Sequence, residues 1–253
     1  MTAATPPQSQ WRSAAPPLSA LPKPDWAKLL TRVLETPRPA LFITGTDTDV
    51  GKTYITQRLA SAALTQNHPV HVLKPVQTGI NLHTPAPAPG ASTISDVARV
   101  LSALGEATPA LSGETLYTFT EPATPSVADT LGELDDATLI AACQARLTPG
   151  RLLLIEGAGG LRVPVTPTLD MLGLIQALGT PVLLVTRPNL GTINHTRLSL
   201  DALQHAGCPV LGVVINAAQP LNLQDAALRL LPSVLTDYLN VPVLGFEPYV
   251  PAA

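Results

Sequence analysis

From Ala40 onward, short runs of Val, Leu and Ile alternate with longer stretches whose apolar residues recur at helical spacing. The runs are Ala40–Thr44, Val70–Lys74, Leu152–Ile155, Val182–Thr186, Val210–Ile215 and Val241–Leu244. They are nearly continuous rather than alternating, the pattern of strands buried on both faces. The spacing predicts helices over Lys52–Gln66, Ser95–Leu104, Ala137–Arg146, Met171–Leu178, Thr192–His205 and Leu223–Tyr238. Strands that alternate with helices make βαβ units and a parallel sheet. Ligands of such sheets bind beyond the carboxyl ends of the strands. Motifs that follow the runs directly are therefore expected to converge.

The chain has 253 residues, enough for one sizeable core and short for two full domains. Residues 1–24 are rich in Pro, Ala, Ser and Gln and are expected to form a disordered tail. Asp25 then precedes Trp26, Leu29, Leu30, Val33 and Leu34, which predicts a short capped amphipathic helix outside the catalytic core, ended by Pro37 and Pro39. The expected division is a leader over 1–38 and one catalytic domain over 39–253. Residues 80–92 read as an exposed Pro-rich loop. The net charge of −3 and the lack of a Lys/Arg cluster argue against a nucleic-acid groove. No apolar run reaches membrane-spanning length, and no basic start leads into an apolar stretch as in a secretory signal, so a cytoplasmic protein is expected. Cys143 and Cys208 lack metal-ligand spacing and read as reduced thiols.

The first run leads into Gly45-Thr46-Asp47-Thr48-Asp49-Val50-Gly51-Lys52-Thr53 and then a helix. This is a phosphate loop in all but one respect: five residues, not four, separate the two glycines. Gly51 lets the backbone approach phosphate oxygens, and the helix N-terminus supplies partial positive charge. Lys52 reaches the terminal phosphates, and the Thr53 hydroxyl can ligate Mg²⁺. The fold class expected is thus α/β and P-loop NTPase-like, with a mostly parallel central sheet and helices on both faces. The loop alone suits a kinase, a partitioning ATPase or a ligase equally.

Lys74 and Glu156 each stand at the carboxyl end of a run, where a phosphoryl-transfer site would place a cation and a metal carboxylate. Gly157 and Gly159-Gly160 beside Glu156 leave room for a ligand. Asp96 fits both a helix terminus and a metal ligand. Gly191-Thr192-Ile193-Asn194 opens a helix, whose N-terminus suits a carboxylate. Asn216 ends a run, with an amide that can serve as donor and acceptor.

The wording of these segments resembles dethiobiotin synthases. The phrases are the loop itself, Lys74-Pro75-Val76-Gln77-Thr78-Gly79, Ser95-Asp96, Tyr117-Thr118-Phe119 with Pro122 and Pro125, Glu156 to Gly160, Leu190 to Thr196, and Asn216. They occur in order over about residues 40–246. The resemblance implies that diaminopelargonic acid takes up CO₂ as a carbamate. The carbamate attacks the γ-phosphate of ATP, giving a carbamic–phosphoric anhydride, and the second amine closes the urea. The products are dethiobiotin, ADP and phosphate, which makes the chain a cyclo-ligase forming carbon–nitrogen bonds. The resemblance further implies Lys74 and Lys52 as catalytic residues, and Thr53, Asp96 and Glu156 as Mg²⁺ ligands. Asp47, Thr48, Asp49, Val50, Gly51, Lys52, Thr53, Glu156, Gly157, Gly159 and Asn216 would meet the nucleotide, Asn216 at the adenine edge, with the following strand, to Gly245, bordering the base. Asp49 stands where the family often carries Glu. Thr78 would contact the substrate amine or carbamate. Gly191, Thr192, Ile193 and Asn194 would bind the substrate carboxylate from the partner subunit of a homodimer. His195 is given a structural role.

Two other readings remain. A P-loop amide ligase would need an ammonia source, usually a second domain with a reactive Cys, for which the chain has no room. A partitioning-type ATPase switch would carry a second lysine early in its phosphate loop, and Gly45–Val50 has none.

Overall fold

The computed structural model describes residues 18–80, 94–221, 231, 235–236 and 239–251. Seven strands form one sheet: β1 Ala40–Gly45, β2 Val70–Gln77, β3 Leu111–Thr118, β4 Leu152–Gly160, β5 Val182–Thr186, β6 Val210–Asn216 and β7 Val243–Glu247, in the order β3-β2-β4-β1-β5-β6-β7. Every pairing is parallel, so all carboxyl ends lie along one edge. The helices are α1 Trp26–Leu34, α2 Lys52–Thr65, α3 Asp96–Ala103, α4 Pro125–Ala128, α5 Asp136–Gln144, α6 Met171–Leu178 and α7 Thr192–His205. The expected fold class is what the chain adopts, and the sheet is parallel throughout its described strands.

Alternation along the buried strands supplies two cores. Leu41, Ile43, Val70, Val72, Leu152 and Leu154 face α1, α2 and α3, while Ala40, Phe42, Leu73, Leu153 and Ile155 face α5, α6 and the end of α7. From β1 the chain moves toward β2 and β3; from β4 it moves the other way, across β1 to β5. That reversal puts a crevice at the carboxyl ends of β1 and β4, where ligands of such sheets sit.

Four differences from the sequence expectation stand out. Strand β3 was not expected; it is an edge strand, half-buried over most of its length, and so lacks a continuous apolar run. Strand β2 continues through Pro75 to Gln77, because beyond Leu73 it pairs with β3 alone and one missing N–H is tolerated. Helix α1 is not outside the core: Trp26, Leu29, Leu30 and Val33 are buried with Ile55, Leu59 and Ala63 of α2. Nor is the stretch before it loose throughout. Leu18 is buried in a short 3-10 turn, and Pro22 O accepts the Phe246 N–H of β7 at 3.0 Å. The expected tail over residues 1–17, most of the Pro-rich loop and most of the helix over Leu223–Tyr238 lie outside the described residues.

Candidate active site

The phosphate loop leaves β1 at Gly45 and enters α2 at Lys52. Its path needs two left-handed residues, Asp49 at φ 55° and Gly51 at φ 93°. Only glycine fits the second, since a Cβ there would lie 2.0 Å from Asn216 Nδ2. The loop is braced from three neighbouring segments and from within. The Thr46 N–H donates to Val185 O at 2.9 Å, and Asn216 Nδ2 donates to Val50 O at 2.9 Å. Asp47 Oδ1 accepts the Thr48 N–H, and Arg187 donates to Asp47 Oδ2, both at 2.8 Å. Lys52 Nζ donates to Asp47 O at 3.0 Å. Burial, and then the charge of Lys74, push the Lys52 ammonium down to about 8, against the opposing pull of Glu156, Asp96 and Asp49.

Beside the loop, Glu156 of β4 is in register with Ile43 of β1. Lys74 of β2 lies on its other side. Lys74 Nζ is 2.7 Å from Glu156 Oε1, 2.6 Å from Asp96 Oδ2 and 3.4 Å from Gly157 O. Asp96 reaches this point because α3 begins there: its N–H donates to Gln77 Oε1 of β2, and Ser95 caps the helix. Burial alone would depress the Lys74 pKa; the two carboxylates outweigh it and raise it. Burial likewise opposes ionisation of Asp96, and the Lys74 ammonium overcomes it, holding Asp96 below the usual carboxylate range. Both predicted metal carboxylates, Asp96 and Glu156, thus meet at one ammonium.

These residues fit a bound divalent cation. Thr53 Oγ1 is 2.8 Å from Glu156 Oε1, joining the third expected ligand to the cluster. Glu156 Oε2 is buried without a hydrogen-bond partner, an orphaned anionic oxygen that costs free energy unless something binds it. Mg²⁺ needs only one or two carboxylates and completes its shell with phosphates and water.

The remaining sequence candidates are placed as follows. Thr78 is half-buried just past β2, next to Gly79, whose N–H donates to Glu121 O. The space at Gly157 is not open to a ligand, because a Cβ there would meet Phe42 at 2.9 Å and Met171 at 3.3 Å. A Cβ on Gly159 would strike Val163, and Gly160 lies against the backbone of Gly45 and Thr46. These glycines thus allow close packing. Gly191, at φ 89°, turns the chain into α7. The Thr192 hydroxyl is buried on Thr186 Oγ1 at 2.7 Å, which also contacts Thr46 and Thr196. Ile193 packs against the cluster that contains Leu18, Ile215 and Phe246, while Asn194 and His195 are exposed. Asn216 is buried with its amide on the phosphate loop, so any contact to a base uses its remaining donor and its carbonyl. Cys143 and Cys208 are free and buried, and burial pushes the Cys143 thiol up to about 12. The sequence reading did not single out Arg187 or Glu247. Arg187 stands immediately after a strand, the position that singled out Lys74. Glu247, almost fully buried at the end of β7, carries no local signal.

Comparison with known proteins places the chain in a family. The family described as AAA domain matches residues 39–253. The ATP-dependent dethiobiotin synthetase of Thermodesulfovibrio yellowstonii is 34% identical over 219 residues, 83% of this chain and 88% of that protein. The protein of that name from Caulobacter sp. strain K31 is 41% identical over 182 residues, 70% of this chain and 76% of its own length. Among solved structures, the septum site-determining protein MinD complexed with Mg-ADP from Pyrococcus horikoshii OT3 superposes with a TM-score of 0.54 at 19% identity, covering 83% of this chain and 80% of that one, a likeness of fold. With a phosphate loop, a strand-end lysine and two carboxylates assembled at one crevice, and with relatives of this identity over most of its length, the chain belongs to the ATP-dependent dethiobiotin synthetase family.

Proposed function

We propose that the chain carboxylates 7,8-diaminopelargonic acid with CO₂ and closes the ureido ring at the expense of ATP, giving dethiobiotin, ADP and phosphate. The observation that carries this reading is the chain of hydrogen bonds that joins Thr53 to Glu156, Glu156 to Lys74 and Lys74 to Asp96, beside Lys52. A carbamate anion must approach a polyanionic phosphate, so positive charge has to stand between them. Lys52, at the start of α2, meets the terminal phosphates together with the N–H groups of the helix. Lys74 supplies a buried, firmly protonated ammonium at the point where the carbamate oxygen bonds to phosphorus. Bound by Thr53, Asp96 and Glu156, Mg²⁺ would neutralise phosphate oxygens. As the second amine displaces phosphate, the same ammonium faces the charge that returns to the leaving oxygen.

Nucleotide contacts are assigned to Asp47, Thr48, Asp49, Val50, Gly51, Lys52, Thr53, Glu156 and Asn216, and Thr78 is assigned to the carbamate end of the substrate. The amino end of α7, at Gly191, Thr192, Ile193 and Asn194, is assigned to the substrate carboxylate of a second copy in a homodimer. Helix geometry leaves the N–H groups of Ile193 and Asn194 without intrahelical acceptors. Leu190 is 91% exposed and Leu198 61% exposed on the same stretch, apolar surface that a second subunit would cover. No helix of the described residues is long and apolar enough to cross a membrane, and a cytoplasmic location is part of the proposal. Incubation with diaminopelargonate, bicarbonate, Mg²⁺ and ATP tests the reading. Dethiobiotin should form in step with ADP and only when all four are present; ADP release that ignores the diamine would mark an ATPase instead.

A further inference from the structure

Residues 18–34 precede the 39–253 stretch that the family model matches, yet they are built into the nucleotide-facing edge of the sheet. Pro22 O bonds the Phe246 N–H, and Gly245 leaves the strap its path: a Cβ there would lie 2.4 Å from Pro22 O and 2.8 Å from Pro24 N. Leu18 packs on Ile215, Ala217 and Phe246. At the end of this contact Glu247 is 1% exposed. Its Oε1 accepts the Trp26 Nε1 proton at 3.0 Å, and its Oε2 accepts from the Tyr54 hydroxyl at 3.4 Å. Arg58 Nε lies 3.6 Å away. One buried carboxylate therefore ties α1, α2 and β7 together.

The direction a nucleotide must take gives this knot a role. On the nucleotide reading its terminal phosphate lies toward Lys74, on the β2 and β4 side of the phosphate loop. The nucleoside must then leave toward β5, β6 and β7. That wall is Asn216, in register with Glu247, and Ala217, whose N–H donates to Glu247 O at 2.9 Å. Tyr54 directly follows Thr53 on α2, so the carboxylate also fixes the helix turn that carries Lys52 and Thr53.

We propose that residues 18–34 form a strap shaping the nucleoside side of the site, and that Trp26 is a positioning residue acting on the nucleotide through Glu247. The inference rests on the nucleotide reading above and extends it to a segment outside the family match.

Trp26→Phe in the full chain keeps the buried ring and deletes the indole donor. Calorimetry with Mg-ADP should show binding about fivefold weaker, the size expected for part of one charge-assisted hydrogen bond. The KM for ATP should rise by the same factor, while kcat stays within about twofold and the KM for diaminopelargonate holds. In a Glu247→Gln background, the Trp26→Phe loss should shrink rather than multiply, the mark of two residues acting as one unit. A Trp26→Phe protein that melts lower yet binds Mg-ADP as the wild type does would overturn the proposal, as would a wild type that binds no Mg-ADP. Wild-type binding of Mg-ADP without dethiobiotin formation would instead defeat the reaction assignment and leave the strap standing.

Discussion

On the β2–β4 side of the phosphate loop the carboxyl edge is held by charge, with one ammonium between two carboxylates. On the β6–β7 side it is held by an amide on a backbone carbonyl, an indole and a phenol on one carboxylate, and apolar packing from residues before the catalytic domain as the sequence suggested it. The first arrangement places charge where phosphoryl transfer needs it. The second places shape where the proposed nucleoside would rest. On that reading the two ends of one ligand are served by different physics, and they should fail differently when altered.

Removing charge should have the largest effect. Lys74→Ala is expected to lower kcat by about a thousandfold or more, as loss of transition-state electrostatics does. It should also destabilise the fold by about 3 kcal/mol, since the buried Glu156 and the half-buried Asp96 are left uncompensated. Mg²⁺ should recover part of that loss in thermal melts. A variant with wild-type turnover would break the comparison on its charged side.

Gly51→Ala comes next, because it strains a left-handed position and drives a methyl into Asn216. Mg-ADP affinity should drop by about a hundredfold, consistent with about 3 kcal/mol of strain and clash, while circular dichroism stays native. Asn216→Ala is expected to be milder. Val50 O loses its donor, and the KM for ATP should rise about tenfold with kcat little changed. If kcat fell and KM held, Asn216 would belong with the charged side.

The smallest effect is a proton. The folded-state pKa of Lys52, about 8 against 10.5 ordinarily, means the folded chain binds fewer protons than the unfolded chain between those values, so this group makes stability rise with pH across that window. Phosphates favour the protonated form. Mg-ADP binding at pH 8 should therefore take up a fraction of a proton, seen as a dependence of calorimetric heat on the buffer's ionisation enthalpy. Affinity should weaken as pH rises further. Identical heats in two buffers would remove Lys52 from phosphate contact.

The charged side was legible in the sequence because its residues are tied to the apolar runs: Lys52 closes the loop that leaves the first, Lys74 ends the second, and Glu156 directly follows the run Leu152–Ile155. The central strands were legible too, being apolar on both faces. The other side was not. Trp26 and Glu247 are 221 residues apart, and nothing local in either announces the pairing. Strand β7 was placed two residues early because its charged end, Glu247, reads as loop until the buried donors around it are known. Gly157 was given to a ligand when Phe42, on the neighbouring strand, takes the space, a contact that only the β1–β4 register defines.

A crystal structure of the chain with Mg²⁺, a non-hydrolysable ATP analogue and diaminopelargonate bears most directly on whether these side chains serve one centre. The metal should lie about 2.1 Å from Thr53 Oγ1 and from an oxygen of Asp96 or Glu156, with Lys52 and Lys74 both contacting the terminal phosphate and the base lying toward Asn216. A triphosphate bound away from Lys74, or a metal shared with neither carboxylate, would contradict it.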